Sequence, residues 1–186
     1  MSDADLIGKL TLRRIPRRFH EPLTRGGELP TAALDAVKRL IMREGFLLVL
    51  SGPAGCGKSF AAAWALSKMI GYWVHAPDLA RPQEDGEHPK DDRMKDAPLL
   101  VLDDVGVEHS PSQYGIARLV DVVVYRESQL LPVIVTTNLD AEEFSKRYGD
   151  RVASRVNGDR IGFQTVAGDD LRLGLALTNV ATLRRP

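Results

Sequence analysis

The sequence predicts an α/β domain whose central sheet is mainly parallel and covered by helices on both faces. Three observations point there. Residues 46–50, 99–102 and 132–136 form short, almost wholly apolar runs, too brief for helices and without the alternation of a half-exposed strand. Such runs read as strands buried on both sides. Helical periodicity occupies the stretches between them, so strand and helix alternate along the chain, as in a parallel sheet with crossover helices.

Taken in order, residues 1–30 read as an irregular basic arm, with Arg13, Arg14, Arg17, Arg18 and Arg25 interrupted by Pro16, Pro22 and Pro30. A core domain is expected over 31–180 and a short tail over 181–186. Its first helix runs over 31–44: Thr31 is the N-cap, Leu34, Val37, Leu40 and Ile41 recur at helical spacing, and Gly45 ends it. The strand Phe46-Leu47-Leu48-Val49-Leu50 follows. An alanine-rich helix is expected over 59–70 and stopped by Gly71, then a strand over 72–75. The next buried strand, 99–102, ends in Asp103-Asp104. A long helix over 112–129 carries Ile116, Leu119, Val120 and Val123 on one stripe, and the third buried strand spans 132–136. Short helices are expected over 141–148 and 151–157. Beyond Phe163 the periodicity fades, and 173–177 fits strand and helix equally. Residues 76–97 are polar, hold three prolines and show no apolar period, which reads as a long flexible loop. No internal repeat is evident.

Composition bounds the function. At 186 residues the chain has the length of one domain, and 44% hydrophobic with 27% charged residues excludes general disorder. The formal net charge of +0 gives no global attraction to nucleic acid or membrane. Cys56 is the only cysteine, which excludes an intramolecular disulfide and fits a reducing compartment. The first ten residues have no apolar signal region, and no apolar run approaches the roughly 18 residues that span a bilayer. The expectation is a soluble, cytoplasmic protein with no membrane partner.

The chemistry is concentrated after the first apolar strand. Gly52-Pro53-Ala54-Gly55-Cys56-Gly57-Lys58-Ser59 satisfies the P-loop pattern G-x-x-x-x-G-K-[ST] between a predicted strand and a predicted helix. Glycines let the backbone curl so that its N–H groups face phosphate oxygens, and the helix start adds its positive dipole end. Lys58 is then placed for the β- and γ-phosphates and the Ser59 hydroxyl for Mg²⁺, with Phe60 closing the stretch that binds ATP. Asp103 and Asp104, at a buried strand end, supply the second part of such a site. Asp103 would hold Mg²⁺ through water and Asp104 would orient or activate the attacking water. Asn138, after the third strand, either reaches the γ-phosphate or the water, or merely caps the helix from Asp140. Arg151 and Arg155 share a helical face at i, i+4 spacing; they are either solvated or offered to a neighbouring subunit's phosphate as an arginine finger.

Several of these motifs, in this order, resemble the AAA+ ATPases of the bacterial helicase-loader and transposition-helper group (DnaC/IstB type), from about Ile15 to Arg172. Ile15-Pro16-Arg17-Arg18-Phe19 is similar to its I-P-x-R-F entry segment, Gly52 to Ser59 to its Walker A motif, and Leu99 to Gly106 to its LL-x-x-DD-x-G Walker B motif. Tyr125-Arg126 with Pro132 to Leu139 resembles its Y-R…P-x-I-x-T-[ST]-N-L stretch, which makes Asn138 the sensor-1 residue. Gly149 to Arg155 resembles its G-x-R-[IV]-x-S-R segment, which makes Arg155 the finger candidate and Arg151 the next. Gly168 to Arg172 resembles its terminal G-x-x-x-R. The resemblance implies a P-loop three-layer sandwich, here without a full C-terminal lid domain. It also implies ATP and Mg²⁺ as ligands, self-association through a trans arginine finger, and a replicative helicase or transposase as partner. Single-stranded DNA is a further partner that the group's initiators bind through an insertion after the second strand. In this chain that place is 76–97, where Glu84, Asp85, Glu87, Asp91, Asp92 and Asp96 outnumber Arg81, Lys90, Arg93 and Lys95, leaving the N-terminal arginines as the DNA contact.

The expected function is therefore an ATP-hydrolysing, self-assembling switch in DNA replication or transposition. Two other readings stay open at this point. One is a regulatory ATP-binding module that recruits a protein; the other is a monomeric P-loop kinase using 76–97 as a lid.

Overall fold

The computed structural model describes residues 2–42, 46–79, 89–107, 113–149, 152 and 162–171, apart from the side chains of 89–92 and 113–114. Five strands form one parallel sheet: β1 (Leu47–Ser51), β2 (Tyr72–His75), β3 (Leu100–Val105), β4 (Val133–Thr137) and β5 (Phe163–Thr165), in the order β2-β3-β4-β1-β5. The helices are α1 (Asp3–Leu12), α2 (His20–Thr24), α3 (Ala32–Met42), α4 (Lys58–Lys68), α5 (Ala76–Leu79), α6 (Pro89–Asp96), α7 (Gln113–Ser128) and α8 (Ala141–Tyr148).

Side chains alternate across a strand, so each strand feeds two cores. Leu48, Leu50, Trp73, Leu99, Val101 and Ile134 face one side, where α1, α3 and α4 contribute Leu10, Leu34, Val37, Leu40 and Leu66. Leu47, Val49, Leu100, Leu102, Val133 and Val135 face the other, against Leu119, Val122, Val123 and Phe144 of α7 and α8. That is the expected three-layer sandwich with both sheet faces covered, and it explains why the strand sequences show no polar alternation. Beyond β5 the described residues hold no helical lid. Among them no helix is long and apolar enough to cross a membrane.

Most expected elements are present within a residue or two. Thr31 caps α3, its hydroxyl accepting from Leu34 N–H at 3.1 Å. Three expectations are corrected. The first thirty residues are not irregular: Ser2 and Asp5 form a capping box that starts α1, a 3₁₀ turn follows at Arg17–Phe19, and Leu10, Ile15 and Leu23 are buried in the core. Of the prolines, Pro16 precedes the 3₁₀ turn and Pro22 falls in the first turn of α2, where its missing N–H is not needed. Residues 76–97 are helical at both ends, as α5 and α6, because Met94 is buried against the sheet and the α6 C-terminus is held by a side chain from α7. β3 continues past Leu102 to Val105 and takes in both aspartates. The helix expected over 151–157, with Arg151 and Arg155, lies outside the described residues apart from Val152, as do 173–177 and the tail.

Candidate active site

The sheet order decides where a ligand can sit. β3, β4 and β1 are neighbours and parallel, so their C-terminal ends open side by side. The last residues of β3 supply Asp103-Asp104, the chains leaving β4 and β1 supply Asn138 and the loop 52–57, and crevices at such strand ends are where open α/β sheets bind ligands.

Gly52, Pro53, Ala54, Gly55, Cys56 and Gly57 form the loop itself, and Lys58, Ser59 and Phe60 begin α4. Gly57 is the N-cap of α4 at φ 95° and provides no side-chain cap, so the first-turn N–H groups face the loop's concavity. Gly55, at φ 85°, lies so close to Asp170 that a Cβ there would meet its carboxylate at 2.0 Å. Pro53 and Ala54 are exposed at the loop tip, whereas the Cys56 and Phe60 side chains are buried and leave only their backbone to the site.

Lys58 is nearly buried, and its ammonium donates to Gly52 O and Pro53 O at 2.7 Å each and to Asn138 Oδ1 at 3.1 Å. That last bond joins the loop to the end of β4. The turn carrying Asn138 is itself fixed: Ser51 Oγ donates to Leu139 O at 2.6 Å, and Thr137 Oγ1 donates to Val105 O at 2.7 Å while accepting from Leu139 N–H. The capping reading of Asn138 fails, because Asp140 caps α8 in a capping box with Glu143.

Asp103 is almost fully buried. Its Oδ1 accepts from Thr136 Oγ1 at 2.7 Å, and the Ser59 hydroxyl lies near enough to favour its ionised form. The strand pairing slips here: Leu102 pairs with Val135 and Val105 with Thr137, so two aspartates oppose one threonine. This bulge turns Asp104 into a left-handed conformation (φ 59°), with its N–H donated to Thr136 Oγ1 at 3.0 Å. The Asp104 carboxylate thereby emerges partly exposed, 4.0 Å from His75 Nδ1 at the end of β2. Burial raises the Asp103 carboxyl above the ordinary carboxylate range, opposed by the Ser59 hydroxyl, reinforced by Asp104, and further opposed by Thr136 and Arg18.

Ser59, Asp103 and Asp104 offer the hard oxygen donors that Mg²⁺ prefers. His75, Asp103 and Asp104 bring ligand atoms within 4.8 Å of one another. The residues fit a divalent ion. Of the expected site residues, the loop, Lys58, Ser59, Asp103, Asp104 and Asn138 converge; Arg151 and Arg155 lie outside the described residues.

Four features escaped the sequence reading. Thr136 orients Asp103, and its signal was its place in Thr136-Thr137-Asn138. His75 faces Asp104. Residues 166–171 strap the loop, with Val166 N–H on Ser51 O at 2.6 Å and Leu171 N–H on Gly55 O at 3.1 Å. Arg18, read as part of a basic arm, reaches the buried Asp103.

This architecture recurs in solved structures. The DnaC helicase loader aligns at TM-score 0.67 and 20% identity, over 82% of this chain and 100% of that one. DnaI aligns at TM-score 0.61 and 21% identity, over 74% and 81%. AMPPCP-bound DnaA from Aquifex aeolicus aligns at TM-score 0.63 and 16% identity, over 82% of this chain and 51% of that one. The chain has the AAA+ fold. At these identities the likeness is one of fold. No protein-family model and no curated protein matches the sequence. The assignment of roles therefore rests on the geometry above.

Proposed function

We propose that the protein binds and hydrolyses ATP with Mg²⁺ and works as a self-assembling AAA+ switch on a partner in DNA replication, such as a replicative helicase, or in transposition. The observation that carries the reading is the junction of three strand ends in one crevice: Lys58 Nζ on Asn138 Oδ1 at 3.1 Å, with Asp103 held by Thr136 on the neighbouring strand. The loop N–H groups and the α4 N-terminus bind phosphate, and Lys58 holds the β- and γ-oxygens. Ser59 and Asp103 would hold Mg²⁺, which when bound neutralises charge on the transferring phosphoryl. Asp104, lifted out of the strand by the bulge, orients the attacking water. Asn138 fixes the γ-end from the opposite side, and Arg155, with Arg151 next, is offered to the neighbouring subunit. The replication role is supported by the fold shared with a protein whose structure is titled a helicase loader.

Titration with a fluorescent ATP analogue tests the binding reading. The wild type should bind, and Lys58→Ala should lose affinity by at least about a hundredfold, the scale of a buried charge-assisted contact of roughly 3 kcal/mol, while its melting curve stays cooperative. Wild-type affinity in the variant would sink the assignment. Specific ATPase activity that rises with protein concentration supports assembly. A flat dependence points to a monomeric enzyme, and binding without turnover points to a regulatory module.

A further inference from the structure

We propose that Arg18 is a nucleotide-binding residue, supplied by the same chain to the phosphates of the bound triphosphate; this rests on the function proposed above. Its guanidinium Nη2 lies 3.8 Å from Asp103 Oδ2, although the Arg18 side chain is 63% exposed and that of Asp103 only 2%. The tip of a surface arginine thus dips to the one buried carboxylate of the crevice. Phe19, the next residue, packs on Phe60 directly after Ser59, so the guanidinium stands close to the foot of the glycine loop.

The approach is built into the fold. Pro16, at φ −55°, precedes the turn Arg17–Phe19, and His20 Nε2 lies 2.8 Å from Ile15 O. Trp73 N–H donates to Arg13 O at 3.0 Å, which ties the segment to the edge of β2. Phe19 packs edge-on against Phe60, ring centroids 6.1 Å apart, and against Trp73 at 5.9 Å. Phe60 directly follows Ser59, so the turn is anchored on the first turn of α4 itself. Arg18 then lays its guanidinium carbon 4.7 Å over the Phe19 ring. By contrast, the Arg17 side chain makes no ion pair, hydrogen bond or ring contact among the described residues, and only its carbonyl is engaged, by His20 N–H.

Charge gives the arrangement a purpose. Asp103 and Asp104 set two carboxylates beside Ser59, where the terminal phosphate of a P-loop ligand lies, and both repel it. Lys58 is the only cation on the loop, and it is shared with Gly52 O, Pro53 O and Asn138. Arg18 adds a second, permanently charged group at the acidic end. At 3.8 Å the pair is longer than a hydrogen bond, so the long exposed side chain can turn from Asp103 to a phosphate oxygen without moving its backbone. A planar guanidinium fork suits that target.

The test compares fluorescent ATP and ADP analogues, each with Mg²⁺, on the full chain. Arg18→Met keeps the apolar stem over Phe19 and removes the charge. It should weaken triphosphate binding about tenfold or more, the value of one charge-assisted hydrogen bond, and diphosphate binding much less. Arg18→Lys should recover part of the loss, Arg17→Met should bind as wild type, and all three should melt with the wild type. Unchanged triphosphate affinity in Arg18→Met, or an equal loss in Arg17→Met, overturns the inference. If Arg18→Met binds normally while Lys58→Ala does not, the function reading stands and Arg18 alone is excluded. Failure of the wild type to bind either nucleotide sinks both.

Discussion

Burial and the neighbouring Asp104 both disfavour the ionised form of Asp103, so its carboxyl titrates above the ordinary carboxylate range in the folded chain. The unfolded chain ionises first. As pH rises from about 4 through the raised folded value, the fold loses stability, and above that value the loss is complete and constant. Ionising Asp103 therefore works against the packing around it. Asp103→Asn retains an oxygen for the Thr136 hydroxyl and removes the charge. We expect it to raise the melting temperature at pH 7 and, under the proposed function, to abolish Mg²⁺-dependent turnover. The gain should be much smaller at about pH 2.5, where the carboxyl is protonated in both states. Thermal melts at the two pH values check it; a lower melting temperature at pH 7 would mean that the ionised pair with Arg18 is net stabilising. The aspartate pair was legible from its place after an apolar strand. Its bulge was not, because the slip arises from pairing with Thr136, a partner 33 residues away from Asp103.

Among the elements, α6 shows how a segment with poor helical pattern is held. Arg126 of α7 is fully buried and donates to Met94 O and Lys95 O at the end of α6, to Ala97 O, and to Pro132 O before β4, at 2.7–2.9 Å. Burial pushes its guanidinium down to about 10, offset by Asp96, and at neutral pH it stays charged. One side chain thus closes a helix C-terminus and joins α6, α7 and β4. Arg126→Met leaves those carbonyls buried without a donor. The expected cost is about 3 kcal/mol or more, read as a lower urea midpoint, with nucleotide affinity unchanged if the native state is saturating. Reading 76–97 as a loop followed from its polarity, and no local pattern reveals that an arginine some thirty residues on supplies the cap. For α1 the signal was local: Ser2 and Asp5 stand at capping-box spacing, masked by the arginines and prolines that follow.

At the scale of the molecule, the N-terminal arginines are mostly committed inward. Arg13 donates to Leu66 O and Ser67 O at the end of α4, Arg14 lies over Tyr72, and Arg18 faces Asp103. Arg14, Arg17 and Arg18 nevertheless remain exposed. If Arg155 acts on a neighbour's phosphate, Arg155→Ala should bind nucleotide as a monomer yet lose the activity that appears on assembly. A finger in trans is worth about 10³–10⁵ in rate. Mixing Arg155→Ala with Lys58→Ala joins one intact finger to one intact loop and should restore activity that neither has alone. A mixture that co-assembles and stays inactive would exclude the finger.

The sequence by itself determined the alternation of buried strands and amphipathic helices, the phosphate loop, the paired aspartates and the amide after β4. Each is a local matter: hydrophobic period, glycine placement, or a polar residue at a strand end. Only the tertiary structure decided the strand order that brings those three ends together, the Thr136 bond that sets Asp103, the strap over the loop, and the turn that delivers Arg18. Those depend on residues far apart in the chain meeting across a parallel sheet. Register and packing, rather than any local pattern, settle which of them touch.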